Sequence, residues 1–339
     1  MTSSSLFTAH DVPDLIAALP TCFGFVPQES LCAISTSGPR NRFGFSVRVD
    51  LPEEDHVEQV ADHVAMHLQR QGAEGAIIVA VSERPELAGR AVWALERALD
   101  PVLPVVSAWA TEERYWTTFD DCDPRGHPYE PSPHHLAVVQ AVAAGQQILP
   151  DRASLERRYL PERSARREWI ARSLDAMTLE VASRMHQSEV PAEELGRLDV
   201  EPILEGALLG RTPCEGDVLR LALWMSTVSV RDFAWRWINR ETARDMLTLW
   251  AHVARLAPPG LEPGPLCLAA VSAYVQGDGA QALIAAERAQ GLDPDYALAG
   301  LIVQCLQAGV HPEQMDTMGA DVQAYLNDPE DHRGHSIGT

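Results

Sequence analysis

Near residue 150 the chain changes its periodicity, and that change limits the folds open to it more than any other feature. Before it, short apolar runs alternate with amphipathic helical stripes; after it, every periodic segment repeats with helical spacing. A sheet can therefore be built only from the first part, and the second must bury its apolar faces helix against helix. In the first part a short helix is expected from about Asp11 to Leu19, with Pro20 as its stop. Ser30–Thr36 and Arg42–Asp50 read as strands joined through Ser37-Gly38-Pro39, a turn sequence. A helix from about Glu53 to Gln71 lines up Val57, Val60, Ala61, Val64 and Leu68 on one face. Gly75–Val81 is a continuous apolar run, the pattern of a strand covered on both faces. Pro85 opens a further helix to about Leu99, and Val102–Thr111 and Arg114–Phe119 read as strands. The expectation is an α/β sandwich with a mixed sheet over residues 1–150.

Residues 163–186, 201–210, 215–227, 230–256 and 266–308 carry helical periodicity, interrupted by Pro191, Pro202, Pro213 and the proline-rich run 258–265. They make an all-helical domain over 151–326, and the polar residues 327–339 are expected to be a disordered tail. Leu266–Gly309 matches the tetratricopeptide pattern over one repeat, with Ala270 and Gly277 in the first helix and turn, Ala282 and Ala289 in the second helix, and Pro294 after it. Small residues there let two helices approach closely, so tetratricopeptide-like packing is expected, without the large aromatic positions of that pattern.

Charge removes several function classes. All 27 basic residues are arginine, against 48 acids, for a formal charge of −21. Without lysine there is no phosphate-loop lysine, no Schiff base and no pyridoxal anchor. Residues 1–150 carry 9 arginines against 20 acids and the remainder 18 against 28, so the acidity belongs to both parts. A field of that sign repels phosphate backbones and anionic headgroups, and neither a nucleic-acid nor a membrane partner is expected. The opening Met1–His10 has no basic or apolar stretch of a secretory signal, and no apolar run approaches the roughly 18 residues of a membrane span. Cys22, Cys32, Cys122, Cys214, Cys267 and Cys305 have no C-x-x-C spacing and read as reduced thiols in a cytoplasmic protein.

Candidate chemistry is sparse. Along Arg42–Asp50, Phe43, Phe45, Val47 and Val49 point one way, and Arg42, Ser46, Arg48 and Asp50 the other. Arg48 and Asp50 would be charges under a helix, costly unless paired. They read either as an internal ion pair or as an anion-binding arginine at a strand end, where ligands of open α/β sheets sit. Asp120, Asp121, Cys122 and Asp123, with His127, offer oxygens suited to a hard cation but lack the glycine and spaced glutamate of a calcium loop, so a solvated turn is expected. His56, His63 and His67 read as part of a polar helix face, not as metal ligands. No nucleophile elbow and no dinucleotide fingerprint is present. Arg152–Arg172 holds seven arginines, with Glu162–Arg166 and Glu168–Arg172 as i, i+4 pairs of a solvated helix, or docked against acidic surface. Trp235 and Trp237 cannot share one helix face, so one is expected to pack inward.

Several blocks resemble one family. Gly24-Phe-Val-Pro-Gln-Glu-Ser-Leu31, Arg48-Val-Asp-Leu-Pro52, Arg114-Tyr-Trp116, Gly126-His-Pro128, Val230-Arg-Asp232, Gly277-Asp-Gly-Ala280 and Asp293-Pro-Asp-Tyr296 follow the order of an uncharacterised actinobacterial family catalogued as domain of unknown function 4192. The resemblance implies a cytoplasmic actinobacterial protein without an established activity. Members of that family carry paired cysteines before the proline of the Arg-Tyr-Trp block; this chain has the single Cys122 in Asp120-Asp-Cys-Asp-Pro124, so no dithiol or zinc role is expected there. The reading is a non-enzymatic binding or scaffolding protein that uses its helical domain, with a protein partner or self-association. The alternative is an enzyme such as a hydrolase for a small anionic ligand. Its site would form where Arg48, Asp50, Tyr115, Trp116 and His127 converge at the strand ends. No cofactor and no metal is expected.

Overall fold

The computed structural model describes residues 8–38, 41–100, 102–118, 124–130, 132 and 134–310. The expected acidic turn at Asp120–Asp123 and the expected tail 327–339 lie outside these. The chain divides into two units, Met1–Ser154 and Leu155–Thr339, and the division falls inside the short helix α5 (Arg152–Glu156), which follows the elements described next.

The first unit opens with α1 (Val12–Phe23). Asp11 caps it by accepting the Asp14 N–H, and Gly24, at φ +74°, ends it in the left-handed conformation. Pro20 therefore does not stop this helix; it sits within it, and Gly24 supplies the end. Then follow β1 (Ser30–Ser37), β2 (Arg42–Asp50), α2 (Val57–Arg70), β3 (Gly75–Val81), α3 (Pro85–Ala98), β4 (Leu103–Ala110), β5 (Arg114–Thr117), β6 (His127–Pro128) and α4 (Leu136–Ala143).

The strands form one mixed sheet in the order β2-β1-β3-β4-β5-β6. β1 is antiparallel to both neighbours, β3 and β4 are parallel across the α3 crossover, and β4, β5 and β6 are successively antiparallel. Consequently β2, β3 and β4 all run the same way and end on one edge of the sheet. Leu31, Ala33, Ala76, Ile78 and Ala80 meet the apolar stripes of α2 and α3, among them Ala61, Val64, Leu68, Ala91 and Leu95, in the main core. Cys32, Ile34, Ile77 and Val79 point to the opposite face and are also buried. Cys22, near the end of α1, hydrogen-bonds Ser46 of β2, which sets α1 over that second face; α4 packs against α1.

The second unit holds α6 (Ala165–Arg172), α7 (Leu174–Gln187), α8 (Ala192–Leu208), α9 (Glu215–Trp224), α10 (Val228–Trp235), α11 (Ala243–Leu256), α12 (Pro263–Val275), α13 (Gly279–Leu292) and α14 (Ala297–Gln307). Among the described residues it contains no strand. Pro202 does not interrupt α8, which runs straight through it. Every residue of α12 is buried, between α11 and α13. Ala270, Ala282 and Ala289 are fully buried, and Gly277 turns the chain between α12 and α13 at φ +85°. Gly196 lets α8 approach its neighbours closely: a Cβ there would stand 2.5 Å from Val230 Cγ2 and 2.8 Å from Trp224 Cε3.

Arg166, Arg167 and Glu162 pair across the fold. Arg166 Nε reaches Glu215 at 2.6 Å, Arg167 binds Glu262 and the Ala257 carbonyl, and Glu162 faces Arg255 at 3.8 Å. The expected Glu162–Arg166 pair does not form because Glu162 precedes the start of α6. Trp235 is buried, while Trp237 is half-buried edge-on to Phe233 at 6.3 Å.

Candidate functional site

Ligands of sheets with parallel strands collect outside the carboxyl ends of those strands. Here that edge gathers the start of β1, the ends of β2, β3 and β4, and the N-terminus of α3. At its centre stands Glu29, whose φ of +43° lies in the left-handed region, a conformation that costs a non-glycine residue about 1–3 kcal/mol. Its carboxylate accepts from Ser82 Oγ at 2.9 and 3.0 Å, from the Glu83 N–H at 3.0 Å, and from Arg84 Nε and Nη2 at 3.3 and 3.2 Å. Arg84 extends the network through Nη1 to Glu53 at 3.1 Å, and Glu83 accepts the Glu112 N–H at 2.9 Å. Partial burial works to raise the pKa of Glu29, but the Glu83 amide, Ser82 and Arg84 outweigh it and hold the carboxyl below its ordinary 4.5.

Arg48 lies at the same edge on the α1 face. Its side chain is 7% exposed and its three nitrogens are each engaged: Nε donates to Ser30 Oγ at 2.8 Å, Nη2 to the Gln28 carbonyl at 3.3 Å, and Nη1 to Asp50 at 2.6 Å. Phe25 lies under the guanidinium, 5.8 Å from its carbon. Asp50 is 81% exposed, so the pair is half in solvent.

The expected convergence of Arg48, Asp50, Tyr115, Trp116 and His127 does not occur. β1, β3 and β4 intervene between β2 and β5, four steps of about 4.8 Å, or roughly 19 Å. Tyr115 and His127 are register partners on one face, with ring centres 5.2 Å apart. Trp116 follows Tyr115 on the strand and so points to the other face, where it stacks on Trp109 at 6.2 Å. Tyr129 joins Tyr115 edge-on and donates its hydroxyl to the Thr111 carbonyl. The structure thus separates an ion pair on β2 from an aromatic group on β5.

Covalent and metal chemistry find little here. Burial pushes the Cys32 and Cys267 thiols up to about 12, far from the thiolate a nucleophile needs. His67 is buried instead of lying on a polar face, and its Nε2 stands 3.1 Å from that of exposed His63. Burial, His63 and Arg70 together lower the pKa of His67. Among the described residues no group of three or more His, Cys, Asp or Glu side chains is placed to hold a metal ion. No helix there is long and apolar enough to cross a membrane. The described cysteines are free. An open groove of about 730 Å³ runs between β2 and α2, from Val49 and Asp50 to His63 and Met66.

A family model described as domain of unknown function (DUF4192) matches residues 13–313. The chain belongs to this family. No curated protein and no solved structure matches it. The DUF4192 match covers most of both units, and the blocks that carried the resemblance have structural tasks. Gly24 ends α1, Glu29 and Arg48 organise the strand ends, and Arg114 donates to the carbonyls of Arg125 and Gly126. Trp116 Nε1 donates to the Pro124 carbonyl, and a Cβ on Gly126 would lie 2.5 Å from its ring. Buried Arg231 holds Asp232 through Nε and Nη2 and reaches the Tyr296 hydroxyl at 3.2 Å. Glu29, Ser82, Arg84 and Glu53 escaped the sequence reading because they meet only in three dimensions, from positions up to 55 residues apart. The one local signal was Glu29 inside its block.

Proposed function

We propose that this DUF4192 protein is a non-enzymatic binding or scaffolding protein whose helical unit receives a protein partner or a second copy. The observation that carries this reading is α7. It has 14 residues, of which only Val181 is buried, yet it carries apolar Leu179 at 69% exposure and Met185 at 41%. Helices of this length are marginal in water by themselves and draw their stability from a covered face. Trp169 of α6 and Leu198 of α8 are also exposed, and methionine adapts to varied partner surfaces. Ala270, Ala282 and Ala289, buried where α12 meets α13, agree with the tetratricopeptide-like packing proposed for that pair, and the free cysteines among the described residues agree with a cytoplasmic place of work. A small anion at Arg48 has less support, since each guanidinium nitrogen already holds a protein oxygen.

The test is affinity capture from cells that naturally contain the protein, run in parallel with a Leu179→Glu/Met185→Glu variant of unchanged melting temperature. Proteins retained by the wild type and lost by the variant, or a wild-type dimer that the variant dissociates, meet the expectation. Identical captured sets and identical sedimentation would remove the reading.

A further inference from the structure

Among the described residues the sheet ends at β2. No strand pairs with the outer side of β2 among the described residues. Leu51 N–H donates to the Glu29 carbonyl, and in this register Val49 and Val47 share the bonded side with Leu51. Alternation along an antiparallel strand then turns the backbone N–H and C=O of Ser46 and Arg48 outward. At the end of that strand Val49, Val60 and Met66 supply apolar lining to the 730 Å³ groove beside α2. Phe45, Val47 and Val49 are only partly covered, and Phe43 is 45% exposed. The rim carries Asp50, Glu53 and Asp62.

These features meet one kind of occupant. An outward row of backbone donors and acceptors is matched by an extended chain, with alternate side chains entering the apolar groove. Asp50 and Glu53 already pair with Arg48 and Arg84, but Asp62 and the chain's net charge of −21 favour arginine or lysine on that segment and oppose a second copy, which would bring an equal net charge. We propose that the β2 edge and the groove beside α2 bind an extended, basic segment of a partner protein by strand addition. This surface lies in the first unit and is independent of α7.

A display library of random dodecapeptides, sorted against the intact protein, tests it. The expected winners are rich in Arg or Lys alternating with β-branched residues, and they compete with one another. Binding should slow amide hydrogen exchange at Ser46 and Arg48. Ser46→Pro, which removes an outward N–H at an edge position where proline is tolerated, should abolish binding. Asp62→Arg keeps the backbone intact and should weaken it about fivefold, the scale of an exposed charge pair, with unchanged circular dichroism. No enrichment, enrichment of acidic or small-molecule-like cyclic sequences, equal binding to both variants, or protection elsewhere than β2 would overturn the proposal. Displacement of the peptides by dimerisation of the protein would assign the edge to a second copy and overturn it as well.

Discussion

Arg48 illustrates how a buried charge is accommodated when its partners come from the backbone and a hydroxyl as well as a carboxylate. Replacing it with methionine leaves Asp50 in solvent and Ser30 still donating to the Gln28 carbonyl, so no charge is stranded. The loss is confined to the interactions of the guanidinium itself, and Arg48→Met should lower stability by about 1–3 kcal/mol, read as a shift in the urea midpoint at unchanged slope. Glu29 carries a pH dependence. Its folded pKa lies below 4.5, so its contribution is complete above that value and disappears as pH falls through the folded pKa. The stability gap between wild type and Glu29→Gln should therefore be widest near neutrality and shrink on acidification below about pH 4.5. A gap that is flat with pH would show that the carboxylate charge is not what Ser82 and Arg84 recognise.

At the level of elements, close helix approach sets a second expectation. Alanine is the better helix former by about 1 kcal/mol, but a Cβ on Gly196 would press on Val230 and Trp224, and overpacking of that kind costs about 1–3 kcal/mol. Gly196→Ala should therefore be neutral to destabilising by up to about 2 kcal/mol by thermal denaturation, never stabilising, despite its helical position. The elements themselves were largely legible. The stripe Val57, Ala61, Val64 and Leu68 announced α2, and the unbroken run Gly75–Val81 announced a central strand covered on both faces. Prolines misled because Pro20 and Pro202 lie where one missing amide is tolerated by helices held through packing. The candidate site was legible only in pieces: the Arg48–Asp50 pair follows from alternation on β2. That same alternation would have set Trp116 apart from Tyr115, had it been applied to β5. Strand order, which separates the two pieces, is a non-local property that no spacing encodes.

For the whole molecule, the division between Ser154 and Leu155 leads to a test by dissection. The first unit has its own core between the sheet and α2 and α3, and the second is centred on the wholly buried α12. Fragments ending at residue 154 and starting at residue 155 should each unfold cooperatively in calorimetry. If either is molten, the division describes contact density and not folding. The charge of −21 makes a second expectation at this scale: duplex DNA should not be shifted by the protein at physiological salt.

The open side of β2 also bears on solubility. A strand with one open side that carries phenylalanine and valine is a template on which copies could stack into fibres, a hazard that folded proteins counter with charge at the margin. Asp50 and Glu53 are paired with Arg48 and Arg84, so Asp62 and the net charge of −21 supply that deterrent, and their repulsion reaches only as far as ions in the medium allow. Concentrated wild-type protein should scatter progressively more light as sodium chloride approaches molar strength, while Ser46→Pro remains clear. The negative charge that selects a basic guest would thus be the same device that keeps the protein dispersed.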